Sequence, residues 1–351
     1  MKTINTLSIL FFLLIAVACS SESDSIMNDI DKEVAGSSER IAMFDFTFSG
    51  KNIQTRGSEV SEDGSQLANV TTSTEATISN CFIAALNENG EVLASFFYST
   101  NSLSQKEDVA TINEHMILKV PADKLPALRF YAVTNLYDES KKKLLACASL
   151  DAIKQVTLND ETPNQLVKVG ISDELNSYKT SPSIDAHDEN DGCTSVTINV
   201  FQRSAAIELA EFKVIGADNE EIETVVESLQ LINRKEKAKV VGEVEGAVTN
   251  SSAIFKPGDG VYNTYKDIRF YAYDNTSLEN KTSLKITYKV NGVSYDRTYT
   301  IKTPGKGEAV VGGNLYQLHV TIKNVSEDIY FDVKDWVPYT INLGDIEGTF
   351  K

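Results

Sequence analysis

Chemistry in this chain could reside in four cysteines, three histidines and a cluster of acids. Cys19 has the clearest assignment. Lys2 precedes an apolar run over 7–17 that stops at Ala18-Cys19, and Ser20, Ser21 and Glu22 follow. A basic start, an apolar core too short for a lasting membrane helix and small residues before a cysteine describe a bacterial lipoprotein signal over 1–18 that is removed. Cys19 then becomes the N-terminus, and its thiol carries acyl chains that each bury about 0.8 kcal/mol per methylene. Ala16 departs from the usual pattern, in which Leu is commoner at that position. No pair among Cys81, Cys147 and Cys193 has CxxC spacing, so no zinc or redox motif is expected. Cys81 and Cys147 sit in apolar stretches where a free thiol packs as a small hydrophobe, and a bridge between them stays open as an alternative. Asp185, His187, Asp188, Glu189 and Asp191 concentrate ligand atoms, but their spacing fails the EF-hand loop and reads as a solvated acidic loop. His115, His187 and His319 stand far apart, and no GxSxG, HExxH or phosphate-binding glycine loop occurs. The expectation is a protein with no catalytic site, no metal and no cofactor.

The 351 residues carry a formal charge of −17. That length accommodates two domains with a core each. The acidity opposes nucleic acid as a partner, since phosphate would be repelled and no basic patch interleaved with aromatic residues occurs. Beyond the signal no second long apolar run is present, which makes the lipid the expected membrane anchor. Residues 19–39 are rich in Ser, Asp, Glu and Gly, a composition that cannot bury enough surface to order itself, and they read as a flexible acidic tether.

The elements that must position anything functional are strands. Phe44, Phe46 and Phe48 alternate with Asp45 and Thr47; Val196, Ile198 and Val200 alternate with Thr197 and Asn199; Tyr316, Leu318, Val320 and Ile322 alternate with Gln317, His319 and Thr321. Asn89-Gly90 and Asn291-Gly292 supply hairpin turns. Helical periodicity is confined to 150–156 and 221–231. An internal echo pairs LRFYAVTN at 128–135 with IRFYAYDN at 268–275 and suggests two related modules. The polar run around Pro182 and Gly192 sets the boundary, so the expected domains are 40–182 and 193–351. The fold class expected is all-β, two tandem β-sandwich domains of transthyretin-like, Greek-key type.

Two segments give this scaffold a specific character. Residues 41–56 join an apolar first strand, 41–48, to a polar stretch that ends in Arg56-Gly57 and is followed by a low-complexity run. Trypsin-like cleavage after Arg56 would remove lipid, tether and first strand together and leave an open apolar groove with unpaired backbone groups. Arg40 is a second candidate, and a cut there would keep the strand in place. At the other end Pro338 breaks the ladder after Trp336, and Val337, Tyr339, Ile341 and Leu343 within 337–346 provide alternation suited to adding to a neighbour's sheet.

With the TSVTINVFQRSAAIELAEFKV segment, the FYAYDNTSLENKTSLKITYKVNG segment and Asn314-Leu315-Tyr316 followed by the Trp336 strand, this order of motifs resembles the fimbrillins of Bacteroidales type V pili. The resemblance implies a structural pilus subunit that supports adhesion. It is exported as an outer-membrane lipoprotein through Cys19, cut by an Arg-specific protease after Arg56 and polymerised with other copies or related subunits by inserting the donor strand into the vacated groove. The mature form would reside in the fimbrium. Gly313 and Gly57 depart from a basic residue and an alanine common at those places in the family. A tip or anchor subunit of the same pilus, or a surface lipoprotein that binds glycans without polymerising, are the alternatives.

Overall fold

The computed structural model describes residues 39–49, 75, 77–106, 109–159, 166–182, 192–244, 248–254, 265–323 and 326–335. Strands dominate. The first half holds β1 (Glu39–Ser49), β2 (Cys81–Leu86), β3 (Val92–Tyr98), β4 (Leu103–Lys106), β5 (Val109–Ile112), β6 (Met116–Pro121), β7 (Arg129–Thr134), β8 (Thr157–Leu158) and β9 (Lys168–Ile171). Two short helices, Asp138–Leu145 and Leu150–Gln155, lie between β7 and β8. The chain continues through β10 (Cys193–Gln202), β11 (Ala205–Ile215), β12 (Thr224–Arg234), β13 (Ala238–Lys239), β14 (Thr249–Ile254), β15 (Phe270–Ala272), β16 (Ser283–Val290), β17 (Val293–Thr300), β18 (Asn314–Lys323) and β19 (Ser326–Asp335). Among the described residues no helix is long and apolar enough to cross a membrane.

The first half is one nine-stranded sheet in the order β3-β2-β7-β9-β10-β1-β5-β4, with β6 also on β1. On a flat sheet β7 and β1, three places apart, would be separated by about 14 Å at the usual strand spacing. The Phe130 ring of β7 nevertheless lies 4.8 Å from Phe44 and 5.0 Å from Phe46 of β1. The sheet therefore curls over its own core, which Phe44, Phe46, Phe48, Ile83, Phe130 and Ile198 fill. The second half is built differently. Two four-stranded sheets, β15-β11-β18-β19 and β14-β12-β16-β17, face each other across Ile207, Leu209, Leu229, Leu284, Ile286 and Leu318.

Strand β10, expected to open the second domain at 193, instead pairs in parallel with β1 and antiparallel with β9. Its alternation is as read, yet Val196, Ile198 and Val200 point into the first core. The crossing to the second half comes at Arg203 and Ser204. Gly312 packs on this crossing, where an added Cβ would sit 2.2 Å from the Arg203 carbonyl oxygen. Arg203, almost fully buried, donates to the carbonyls of Lys239, Val240 and Gly242 and pairs with Asp274. The outer face of β2 and β7 is covered by Leu144 and Ile153 of the helices together with Ala238, Val240 and Tyr273 from the second half.

Of the helical expectations, Leu150–Gln155 stands, with Ser149 capping it by accepting from the Ala152 amide at 3.2 Å. The segment 221–231 is a correction, since it contributes strand β12. A register shift between Val226 and Ser228 inserts an extra residue, so the buried side chains fall at 226, 229 and 231 and imitate helical spacing. The Asn291-Gly292 turn takes positive φ at both residues, as its hairpin requires. At Asn89-Gly90 only Gly90 does so, and the Asn87 side chain closes a longer loop by accepting from the amides of Asn89 and Glu91, both at 2.9 Å. Cys81 faces the inner core and Cys147 packs against the outer one, and both are free thiols, so no bridge joins them.

Candidate functional site: the seat of the first strand

β1 is an interior strand. Its flank on one side is β10, with Met43 opposite Cys193 and Ser49 opposite Asn199. On the other side its first half pairs with β6, Phe44 opposite Met116, and its end pairs with β5, Phe48 opposite Ala110. Ala42, Phe44, Phe46 and Phe48 point into the core and are at most 1% exposed. Ile41 exchanges two backbone hydrogen bonds of 2.8 Å with Ser181. Burying four large side chains, Ile41, Phe44, Phe46 and Phe48, is worth roughly 6–12 kcal/mol. That is of the order of the whole stability of an ordinary domain. A molecule that lost β1 would expose the ladder edges of β10, β5 and β6 around an apolar trough.

Arg40 belongs to β1, pairs with Val120 in the ladder and donates to the Thr180 carbonyl at 3.2 Å. Half-buried and held on an interior strand, it is closed to a protease that must bind an extended chain. Cys19, Arg56, Gly57 and the donor residues Val337, Tyr339, Ile341 and Leu343 lie outside the described residues, as do Trp336 and the acids and histidine of 185–191. What the structure adds is the ground on either side of them.

Downstream of the expected cut the chain is fixed at Glu75. Its side chain is fully buried and receives two hydrogen bonds from Arg269 Nη1, at 3.0 and 2.9 Å, and one from the Tyr271 hydroxyl at 2.7 Å. Arg269 also pairs with Glu208 at 2.7 Å, and Gln317 Nε2 donates to that same carboxylate at 2.5 Å. Burial, and then the Glu75 carboxylate, push the Tyr271 hydroxyl well above the usual phenol range, so it remains a donor. The Gln202 side chain donates to the Glu75 carbonyl at 3.1 Å, and Lys168 and Asn135 donate to the Thr77 carbonyl at 3.0 and 2.8 Å. Glu75 is thus bound to both halves of the molecule, and Thr77 to the first. Sequence reasoning missed this clamp; the one available signal was Arg269 and Tyr271 in the repeated RFYA.

The two echo segments prove to be strands, β7 and β15, each leading to a buried asparagine. Asn135 donates to the carbonyls of Thr77 and Leu166, both at 2.8 Å, and Asn275 donates to those of Asn233 at 3.1 Å and Asn280 at 2.8 Å. Their places differ, since β7 lies between β2 and β9 while β15 is an edge beside β11. Tyr316 of the Asn-Leu-Tyr motif is wholly buried, its hydroxyl bonded to Thr303 at 2.7 Å and accepting from the Val311 amide at 2.9 Å, which makes it a corner of the core. β19 forms a sheet edge, pairing with β18 from Ser326 opposite Lys323 to Asp335 opposite Asn314.

The overall arrangement of strands recurs in solved structures. A candidate cell adhesion protein of Parabacteroides distasonis superposes with a TM-score of 0.57 at 16% identity, over 86% of this chain and 99% of that one. The chain has the fold of fimbrial and adhesion proteins. A fimbrial assembly protein of the same organism gives 0.52 at 13% identity over 84% of this chain and 99% of its own. A candidate cell adhesion protein of Bacteroides eggerthii gives 0.52 at 15% identity over 84% and 96%. No protein-family model matches the chain, and no curated protein matches it by sequence.

Proposed function

We propose that this protein is a structural fimbrial subunit. It is exported as a lipoprotein through Cys19, matured by an Arg-specific protease at Arg56-Gly57, and polymerised when residues 337–346 of one copy, or of a related subunit, replace β1 of the next. The observation that carries the reading is the placement of β1. It is the one element upstream of Arg56 among the described residues, it fills the centre of a core, and the chain after the cut is held independently at Glu75. Cleavage between Ser49 and Glu75 separates the strand covalently and leaves the remainder anchored. The covalent cut does not by itself eject so apolar a strand; a strand of matching alternation must displace it, and the residues Val337, Tyr339, Ile341 and Leu343 have that alternation. The fold shared with a fimbrial assembly protein supports the same reading.

The glycan-binding alternative gains no support from the described surface, where the aromatic side chains exposed by more than a third, Phe201 and Tyr295, lie in different sheets. The test is mild trypsin treatment of the full chain and of Arg56→Ala, followed by N-terminal sequencing and gel analysis without boiling. The reading expects a new N-terminus at Gly57 and SDS-resistant ladders in the wild type alone. A cut protein that stays monomeric overturns it.

A further inference from the structure

We infer that Asp45, His115 and Cys193 form a site for a zinc-like divalent cation, and that the ion fastens β1 to both of its neighbours. Register brings the three together. β1 runs antiparallel to β6 with Phe44 opposite Met116, which carries His115 to the place facing Asp45. It runs parallel to β10 with Met43 opposite Cys193, on the same face of β1 as Asp45. Phe44 and Phe46 fill the core from one face, so Asp45 points to the other.

The ligand atoms of the three residues all lie within 4.8 Å of one another. His115 Nδ1 meets Asp45 Oδ1 directly, and Cys193 Sγ lies 3.5 Å from the same ring nitrogen. A tetrahedral zinc with its usual bond lengths to sulfur and nitrogen holds those two ligands about 3.6 Å apart, so the Cys–His pair already has the spacing. The Asp45 and His115 side chains are 41% and 45% exposed and free to open their direct contact around an ion. A thiolate, an imidazole and a carboxylate are the zinc ligand set, and the thiolate and imidazole disfavour calcium or magnesium, which take oxygen. Three protein ligands leave a fourth position for water, on a surface open to solvent.

A cation there bonds β1 to β10 and to His115, the residue just before β6. If the maturation reading above is right, on which this consequence rests, the ion is a lock that keeps β1 seated until it is withdrawn.

Two measurements on the uncut full chain test the site without reference to polymerisation. Titration with ZnCl2 should saturate at one ion per chain, and Asp45→Asn, His115→Ala and Cys193→Ser should each bind at least tenfold more weakly while keeping the wild-type circular dichroism spectrum. Should a variant fail to fold, zinc should still protect Cys193 of the wild type from alkylation, read by peptide mass mapping. Hydrogen exchange of 39–49 should slow at least tenfold when zinc is added. Equal binding by the variants, no saturable binding in the micromolar range, or alkylation of Cys193 unaffected by zinc overturns the site; unchanged exchange in β1 overturns the lock. A failure of the ladder experiment leaves these readouts unmoved, so the two accounts fail separately.

Discussion

Glu75 shows how a single side chain can decide what happens to a segment. It is a buried carboxylate whose charge is matched by Arg269 and whose oxygens are hydrogen-bonded by Arg269 and Tyr271. Removing one partner of such a pair leaves an uncompensated buried charge, which typically costs about 3–5 kcal/mol. Arg269→Ala should therefore lower the unfolding free energy by about that amount in urea titration, and Glu75→Gln should cost less because the amide oxygen still accepts from Arg269 and Tyr271. A loss below about 1 kcal/mol for Arg269→Ala would show that Glu75 finds other partners. Little of this was legible in the sequence. The echo marks Arg269 and Tyr271 as part of a repeated strand, but nothing in a chain with 50 acids says which carboxylate the arginine meets across almost two hundred positions. Asp45, His115 and Cys193 were hidden for the same reason, since only strand register makes them neighbours. The buried asparagines, by contrast, were readable as the ends of two matching strands.

At the scale of elements, β1 has the clearest signature and the clearest consequence. Three alternating phenylalanines predict a strand with one buried face; the structure contains that face, and buries Ile41 and Met43 on the opposite one as well. Truncating Phe46 to alanine should cost about 3–5 kcal/mol in the uncut protein, as large-to-small changes in cores do. If β1 is discarded on maturation, the same substitution should leave the thermal dissociation of assembled multimers unchanged, because Phe46 is no longer present. Ile341→Asp should do the converse, sparing the uncut chain and abolishing ladders. Multimers that are destabilised by Phe46→Ala would mean that β1 stays. Alternation also identified β10 and β18. It failed at β12, where the bulge between Val226 and Ser228 shifts the buried face by one residue and gives helical spacing to a strand. The helix Asp138–Leu145 was missed because Ser140 and Leu144 are its buried residues, too few to set a period in a run of lysines.

At the scale of the whole molecule, the sequence conveyed the all-β class, while β10, read as the opening of a second domain, belongs to the sheet of β1. Pairing of β1 with β10 across about 150 residues is a contact of topology that no local pattern encodes. The halves also share an apolar cluster, with Ala238, Val240 and Tyr273 packed among Phe82, Tyr131 and Ile153, and a two-stranded pairing of β8 with β13. Parts joined by a buried apolar contact and by Arg203 should unfold together. Calorimetry of the uncut chain should show a single transition, and two well-separated transitions would contradict the joint described. The central claim is that β1 leaves and a C-terminal strand takes its place. It is tested most directly by peptide mass mapping of SDS-resistant multimers formed after cleavage, with cross-linking between subunits. The account predicts multimers that begin at Gly57, contain no peptide from 39–49, and cross-link 337–346 of one subunit to β10 or β5 of the next. Multimers that retain 39–49, or whose cross-links place 337–346 within its own subunit, would contradict it.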